Sequence, residues 1–279
     1  MTLLHAIILG LVQGLTEFLP VSSTAHLTLV ENLLVRQSMP LAFDVILHVG
    51  TLVALIIYFR RDIAKIVRGL TGGDAEGQRL LLLLIIAMVP TGVFALLTHK
   101  LKSMAKGHLW LYGVFLLATA ILLITANTLA KRRKGRGLME VNGWDALAVG
   151  TIQGVGGGFG LSRSGSTICM GVFRGLALPA SARFSFLLGI PTIAMAALYE
   201  GRKLVLPLLR HQPLPAEMAF PAGGISPALA CVVGVVVAGI SGYAAIGLLD
   251  RFTRKPKLHG FAAYCVLAGA TIIVLGLRR

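Results

Sequence analysis

A carboxylate, a run of hydroxyls and a histidine interrupt the apolar sequence near the start of the chain, in the stretch QGLTEFLPVSSTAHL at 13–27. Glu17 is a candidate functional group, because a charge between apolar runs is costly to keep. His26 could act as an acid, a base or a nucleophile near neutral pH, and a base could activate a neighbouring hydroxyl. The hydroxyls are those of Ser22, Ser23 and Thr24. The structural alternatives are a hydrogen-bonded core histidine and a hydroxyl that caps a helix.

A second stretch, QGVGGGFGLSRSGST at 153–167, has the composition of an anion site. Its glycines let the backbone turn tightly and present N–H groups to an anion. Arg163 is costly in an apolar segment unless it meets an anion, and its guanidinium matches phosphate oxygens in a bidentate manner. The neighbouring groups that could add donors are Ser162, Ser164, Gly165, Ser166 and Thr167. The stretch therefore predicts a phosphate cradle; the alternative is that Arg163 forms a structural pair with Glu17.

The composition indicates an integral membrane protein. Of the 279 residues, 56% are hydrophobic and only 13% are charged, whereas soluble domains carry about 25% charged residues. The net charge of +15 does not indicate a nucleic-acid partner, because the basic residues cluster between apolar segments, at 60–61, 131–134 and 254–257. Such clusters are typical of topology signals and of contacts to anionic membrane lipids. The three cysteines are isolated and lack the spacing of a metal site.

Six segments are long and apolar enough to predict spanning helices, which need about 20 residues each. They are 42–60, 80–98, 109–130, 184–200, 226–249 and 259–277. Two further regions, 1–40 and 144–180, are apolar but broken by glycine, proline and hydroxyls. Irregular backbone is tolerated at membrane depth only where it is buried in protein or lines a wet cavity. We therefore expect an all-α membrane protein in which both regions are re-entrant helical hairpins that carry the candidate site.

The distribution of basic residues predicts the orientation of the chain. Lysine and arginine are more frequent in the loops 60–79, 131–143 and 251–258 than in the segments on the opposite side. The positive-inside rule places these loops in the cytoplasm. Both termini are then expected outside.

The two broken regions are also related to one another. Three identities recur at one constant offset of about half the chain: Gln13 with Gln153, Gly14 with Gly154, and Ser22 with Ser162. We therefore predict two repeats, 1–140 and 141–279, each a hairpin followed by three spans. Because three is odd, the second repeat is inverted, and inverted repeats place a polar site near the membrane midplane.

At both stretches the sequence resembles the undecaprenyl-diphosphatase family, the bacitracin-resistance phosphatases of bacterial membranes. The family's first motif is Glu or Gln, then Glu four positions on, then FLPVSST and a histidine, and it corresponds to 13–26. Its second motif, PGxSRSGxT, corresponds to 159–167, and ARFSFLLGIP at 182–191 is similar to a third family stretch. Two positions depart from the pattern, since Gln13 stands where the family also has Glu, and Phe159 stands where proline is usual.

The resemblance implies hydrolysis of undecaprenyl diphosphate to undecaprenyl phosphate and inorganic phosphate. This reaction recycles the lipid carrier of peptidoglycan synthesis and confers bacitracin resistance. The resemblance also implies a homodimer in the bacterial cytoplasmic membrane, with its active site on the outer side. With Gln13 in place of Glu, a bound Mg²⁺ or Ca²⁺ would depend on Glu17 and on the phosphates of the substrate.

The expected catalytic residues are Glu17, Ser23, His26 and Arg163. The expected substrate contacts are Gln13, Ser22, Thr24, Ser162, Ser164, Gly165 and Thr167. The nucleophile could be Ser23, His26 or an activated water, and Ser23 activated by a His26–Glu17 pair is the favoured arrangement. Asp44 and His48 lie one turn apart at the start of a predicted span, so they share a face that could also reach the site.

A transporter or flippase of a phosphorylated lipid or anion is the alternative function. Inverted repeats with broken hairpins are typical of transporters. A carrier needs the anion cradle but neither a nucleophile nor a base, so the Glu17, Ser23 and His26 set favours the enzyme.

Overall fold

The chain is built from α-helices. A computed structural model describes residues 1–35, 39–98, 100, 108–157, 160–213, 215, 218, 220 and 224–278. No β-strand occurs in these ranges, where a single isolated bridge pairs Arg136 with Leu176. The all-α class is therefore confirmed.

Eleven helices of the described chain are named here. Those of the first half are α1 (Leu3–Phe18), α2 (Ser23–Val30), α3 (Leu41–Tyr58), α4 (Arg60–Leu70), α5 (Ala75–Leu97) and α6 (Leu109–Arg132). Those of the second half are α7 (Gly143–Gly156), α8 (Arg163–Phe173), α9 (Leu178–Leu209), α10 (Pro227–Arg254) and α11 (His259–Leu277). A π-helical turn at Glu31–Val35 extends α2, and a 3₁₀ turn at Leu138–Glu140 precedes α7.

Six of these helices, α3, α5, α6, α9, α10 and α11, are long and apolar enough to cross a membrane. Each contains most of one predicted span, which confirms an integral membrane protein. The largest difference is at α9, which runs from Leu178 to Leu209 and includes Pro191 and Pro207. Its ends are too polar to be recognised as apolar sequence, although the helix continues through them.

The predicted loop at 60–79 contains a helix of its own, α4. Its sequence RRDIAKIVRGL is too polar for a span, but one face turns toward the rest of the protein. Asp62 on that face is 6% exposed and accepts a 2.7 Å hydrogen bond from Arg183 of α9. An amphipathic helix of this kind is recognised by its periodicity and not by its total hydrophobicity.

Each broken region contains two helices, with a residue of positive φ between them. Between α1 and α2, Pro20 follows the last helical turn, and Ser22 takes a φ of +68° while its hydroxyl accepts the N–H of Ala25. Between α7 and α8, Gly160 takes a φ of +93°, and a Cβ there would lie 2.5 Å from the ring of Tyr112. Only glycine meets both demands. The position of the two hairpins within the bilayer stays a prediction.

The first helix of each half of the chain packs against a helix of the other half. Helix α1 packs along α10, where a Cβ on Gly14 would clash with the hydroxyl of Ser241. Helix α7 packs along α5, where a Cβ on Gly150 would clash with the carbonyl of Ala87. The first helix of each half thus contacts the corresponding helix of the other half. The repeat boundaries and the inversion stay predictions.

Candidate active site

Glu17 lies in the last turn of α1, at the point where the first hairpin bends. Its side chain is 8% exposed, and Gln13, one turn earlier on the same face, is fully buried. Gln13 Nε2 donates a 3.2 Å hydrogen bond to Glu17 Oε2. The helical spacing therefore fixes the amide beside the carboxylate, as residues four apart on a helix are neighbours.

The turn after α1 returns the chain so that Ser23 meets Glu17. Ser22 caps α2 from the left-handed region of φ, and Ser23 is the first residue of that helix. Ser23 Oγ donates a 2.8 Å hydrogen bond to Glu17 Oε2. A hydroxyl whose proton already points at a carboxylate is the arrangement of a nucleophile and its base.

Arg163 comes from the second hairpin and meets the other oxygen of Glu17. Arg163 Nη2 donates to Glu17 Oε1 at 3.1 Å, so the ion pair that the sequence left as an alternative is formed. Arg163 Nε and Nη1 are buried and have no hydrogen-bond partner among the described residues. Unsatisfied buried donors are costly. The pairing with Glu17 therefore accounts for only part of the guanidinium, and an anion would satisfy the rest.

The hydroxyls of the second motif form hydrogen bonds within the second hairpin and between the two hairpins. Ser162 Oγ accepts the N–H of Gly165 at 3.1 Å and lies 3.3 Å from Ser164 Oγ. Ser164 Oγ donates to the carbonyl of Leu19 in the first hairpin. Thr167 Oγ1 bonds the carbonyl of Arg163 and lies 2.6 Å from Ser185 Oγ. These contacts hold Arg163 against Glu17, and substrate contacts by the same hydroxyls stay predictions.

His26 follows Ser23 by three residues on α2 but has its hydrogen-bond partners elsewhere. Its Nδ1 is 2.8 Å from the carbonyl of Ser22, and its Nε2 is 2.6 Å from the hydroxyl of Tyr264, whose ring stacks on the imidazole. Within the described residues no hydrogen bond joins His26 to Glu17 or Ser23. The expected His26–Glu17 pair is thus not formed in this structure. Tyr264 carries no signal in the sequence, since it is one aromatic residue in an apolar span.

His48 is the histidine that approaches Glu17. Its Nε2 is 3.9 Å from Glu17 Oε2, and its Nδ1 donates to the carbonyl of Asp44 at 2.8 Å. The side chain of His48 is 29% exposed and that of Glu17 only 8%. His48 therefore lies at the open edge of the cluster. The Asp44 and His48 spacing predicted a shared face, but only the packing of α3 against α1 brings that face to the site.

Two further residues predicted to contact the substrate, Thr24 and Gly165, differ in their exposure. Thr24 is exposed at the start of α2, and Gly165 is buried in the first turn of α8. Phe159, the departure from the second motif, lies outside the described residues, so its effect on the loop stays a prediction.

The acidic and amide groups of the first hairpin fit a hard cation in part. Among the described residues no group of three or more His, Cys, Asp or Glu side chains could hold a metal ion. Gln13 Oε1, however, is buried beside Glu17 and has no hydrogen-bond partner there. Carboxylate and amide oxygens are ligands that Mg²⁺ and Ca²⁺ accept. Gln13 and Glu17 could thus supply two oxygens, and a bound diphosphate would have to supply more.

Comparison with known proteins identifies the family. The model of the family described as bacitracin resistance protein BacA matches residues 6–271. The undecaprenyl-diphosphatase of Syntrophotalea carbinolica is 38% identical over 279 residues, which cover 99% of each chain. That of Geobacter sulfurreducens is 37% identical over 98% of each chain, and that of Saccharophagus degradans is 36% identical over 99% of this chain and 98% of its own. The chain therefore belongs to the BacA family.

Proposed function

We propose that this chain hydrolyses undecaprenyl diphosphate to undecaprenyl phosphate and inorganic phosphate. The observation that carries the proposal is the buried cluster in which Ser23 donates to Glu17 and Glu17 pairs with Arg163. The cluster contains a nucleophile, a base and a guanidinium with two unsatisfied nitrogens. The curated relatives, which are named undecaprenyl-diphosphatase, supply the substrate.

Arg163 binds the terminal phosphate in this proposal. A phosphate oxygen at Nε or Nη1 would satisfy a donor that otherwise has no partner among the described residues. The guanidinium also stabilises charge on the transferring phosphoryl group, which is most of what catalysis of this reaction requires. The isoprenyl chain of the substrate remains in the apolar part of the membrane, beside the lipid-facing helices.

Ser23 is the nucleophile that the geometry favours. Its Oγ bonds to the terminal phosphorus as its proton passes to Glu17, and the bond from that phosphorus to the bridging oxygen breaks. The electron pair stays on the bridging oxygen, so undecaprenyl phosphate leaves. After Glu17 has released its proton to solvent, it deprotonates a water that attacks the phosphoserine. The P–Oγ bond then breaks, the proton that Glu17 took from the water passes to Ser23 Oγ, and inorganic phosphate leaves.

The other two candidate nucleophiles fit this arrangement less well. His26 is held between the carbonyl of Ser22 and the hydroxyl of Tyr264. A water activated by Glu17 would have to take the place that Ser23 Oγ occupies at Oε2. His26 is therefore assigned to holding the turn that presents Ser23, and His48 to orienting the carboxylate of Glu17.

A Mg²⁺ or Ca²⁺ ion is a further part of the proposal. Glu17 and Gln13 Oε1 would hold it together with the diphosphate, and the ion would neutralise phosphate charge. Nothing in the assigned roles of Ser23 and Arg163 depends on it.

We further propose a homodimer in the bacterial inner membrane, with the active site facing the periplasm. The excess of basic residues in the loops 60–79, 131–143 and 251–258 supports a cytoplasmic position for these loops. The resemblance to the family supports the periplasmic active site and the homodimer. The exchange of helix partners between α1–α10 and α7–α5 supports an inverted repeat of 1–140 and 141–279. The flippase alternative is not favoured, because a carrier has no use for a serine paired with a carboxylate and because the relatives are named for a hydrolase.

The test is phosphate release from undecaprenyl diphosphate by the purified protein in detergent, with and without EDTA. Wild type should release phosphate, and Glu17→Gln and Ser23→Ala should lose at least about 1,000-fold in kcat, as expected when a nucleophile or its base is removed. Thr125→Ala removes an exposed hydroxyl in α6 and should retain the activity. Failure of the folded wild type to release phosphate would exclude the proposed hydrolase. Loss of turnover in EDTA, restored by Mg²⁺ or Ca²⁺, would support the metal.

A further inference from the structure

A cavity of about 520 Å³ lies between the ends of α3 and α10, remote in sequence from the two hairpin motifs. Tyr58 is the last residue of α3, and Arg254 is the last of α10. The two helices pack side by side and both end at this cavity. The segments 60–79 and 251–258, at the ends of these two helices, are on the side that the basic residues predict to be cytoplasmic.

The cavity has an excess of positive charge. Arg254 is neutralised by Asp250, whose Oδ2 accepts from its Nη2 at 2.8 Å. Arg251 and Lys255 also line the cavity and are exposed. Neither forms a side-chain hydrogen bond or an ion pair with any residue that the structure describes. Two cations therefore face the cavity without a carboxylate partner.

Basic residues at the end of a helix can serve simply to complement the negative end of the helix dipole. That role requires no cavity and no aromatic walls. Here the rings of Tyr58 and Tyr243 meet edge to face at 5.4 Å and line the same space. Tyrosine is enriched at the level of lipid headgroups, and basic pockets between spanning helices on the cytoplasmic side bind anionic headgroups.

We propose that this cavity binds the phosphate of an anionic phospholipid headgroup, with Arg251 and Lys255 as the charged contacts. The acyl chains would lie along the apolar surface of α3 and α10, and the tyrosine rings would lie beside the headgroup. The site is separate from the hydrolase proposed above and does not depend on it. A free phosphate ester has the same charged group but no acyl chains, so the two sources can be distinguished.

The first experiment is native mass spectrometry of the purified protein with phosphatidylglycerol, phosphatidylcholine or free glycerol 3-phosphate. Wild type should retain phosphatidylglycerol in preference to the other two. The pair Arg251→Gln and Lys255→Gln should weaken that binding roughly 30-fold, because both juxtamembrane cations are lost. The control pair Arg133→Gln and Lys134→Gln removes the same charge from exposed residues that follow α6, and should bind like wild type.

Gly247→Leu provides a second variant that keeps every charge. Gly247 lines the cavity, and a Cβ there would lie 3.8 Å from the Tyr58 ring, which is an ordinary contact. The added side chain should therefore fill the cavity without unfolding α10, and phosphatidylglycerol binding should fall. Equal losses in both charge-removing pairs, equal retention of phosphatidylcholine, or full binding by Gly247→Leu would each overturn the proposed site. Binding of glycerol 3-phosphate as tight as that of the lipid would also overturn the assignment to a phospholipid.

Discussion

Ser23 Oγ and Glu17 Oε2 lie 2.8 Å apart across the turn that joins α1 and α2. The other oxygen of the same carboxylate pairs with Arg163, which begins α8 in the second half of the chain. One buried carboxylate thus connects the candidate nucleophile with the candidate phosphate ligand. The predictions below follow from this connection.

The position of the guanidinium depends on the absence of a side chain at Gly189. A Cβ there would lie 2.5 Å from Arg163 Nη1, so Gly189→Ala must displace the guanidinium. We expect kcat/KM to fall about 10- to 100-fold, the usual effect of misplacing a catalytic group by a fraction of an ångström to one ångström. Gly92→Ala is the matched control, because its Cβ would meet nothing within 4 Å. Equal activity of the two variants would contradict this role of Gly189.

Arg163→Lys tests whether the shape of the cation matters as well as its charge. A lysine ammonium could still pair with Glu17, but it lacks the planar fork that matches phosphate oxygens. The expected loss in kcat is about 100-fold or more, by comparison with other donors that stabilise transition-state charge. Thermal unfolding of the variant should remain close to that of wild type. Near-normal turnover would show that a point charge suffices and that bidentate binding of phosphate by Arg163 is incorrectly assigned.

His48 is expected to act through Glu17. In His48→Asn the imidazole that lies 3.9 Å from Glu17 Oε2 is lost, while the hydrogen bonds from Gln13 and Ser23 to that oxygen remain. We expect kcat to fall about ten-fold with little change in KM, as for an interaction made mainly in the transition state. His5→Asn serves as the control, since His5 lies in the first turn of α1. A rise in KM with unchanged kcat would instead place His48 in substrate binding.

Asp145 anchors the second hairpin by a buried ion pair. Its side chain is fully buried and bonds Arg136 at 2.8 Å and Arg174 at 3.1 Å. Burial raises the pKa of this carboxyl, but the hydrogen bond from Arg136, then that from the Asn142 N–H, the charge of Arg136 and the hydrogen bond from Arg174 lower it below its ordinary value overall. The ionised form therefore stabilises the fold above the unfolded pKa of about 4. That stability is lost as the pH falls through the lower pKa of the folded state.

Asp145→Asn should lower the free energy of unfolding by about 2–3 kcal/mol at pH 7, somewhat less than for a fully buried pair because both arginines are partly exposed. The variant should also lose less thermal stability than wild type between about pH 5 and pH 3. Glu76→Gln breaks an exposed pair with Lys65, which solvent screens, and should change the thermal stability little. Thermal unfolding in detergent over this pH range measures both effects. Identical pH dependence of Asp145→Asn and wild type would exclude the linkage.

The membrane class and the six spans could be predicted from sequence because the thickness of the bilayer sets the length of an apolar helix. The two motifs could be recognised because charge and hydroxyls are rare between apolar runs. The prediction that 60–79 is a loop was wrong, because 60–70 forms the amphipathic helix α4. Its sequence is polar on average, so its one buried face was not recognised. The expected ends of α9 were also wrong, because its helix continues through polar residues.

The internal geometry of the site could be predicted only in part. From the sequence, the pairing of Arg163 with Glu17 was predicted as the alternative to a phosphate cradle. The structure shows this pair together with two unsatisfied guanidinium nitrogens. His26 is bonded to Ser22 and Tyr264 instead of Glu17, and the contact with Tyr264 of α11 is a long-range one that no spacing rule gives. The approach of His48 depends on how α3 packs against α1, which is a tertiary contact.

The central claim is that Ser23, activated by Glu17, attacks the terminal phosphorus. The most direct measurement is a rapid acid quench of the purified protein with undecaprenyl diphosphate carrying a radioactive terminal phosphate. The account predicts acid-stable label on Ser23 in wild type, and none in Ser23→Ala or Glu17→Gln. Rapid phosphate release with no labelled serine would contradict it. Label on His26 that survives a parallel alkaline quench but is lost in acid would transfer the role of nucleophile to the histidine.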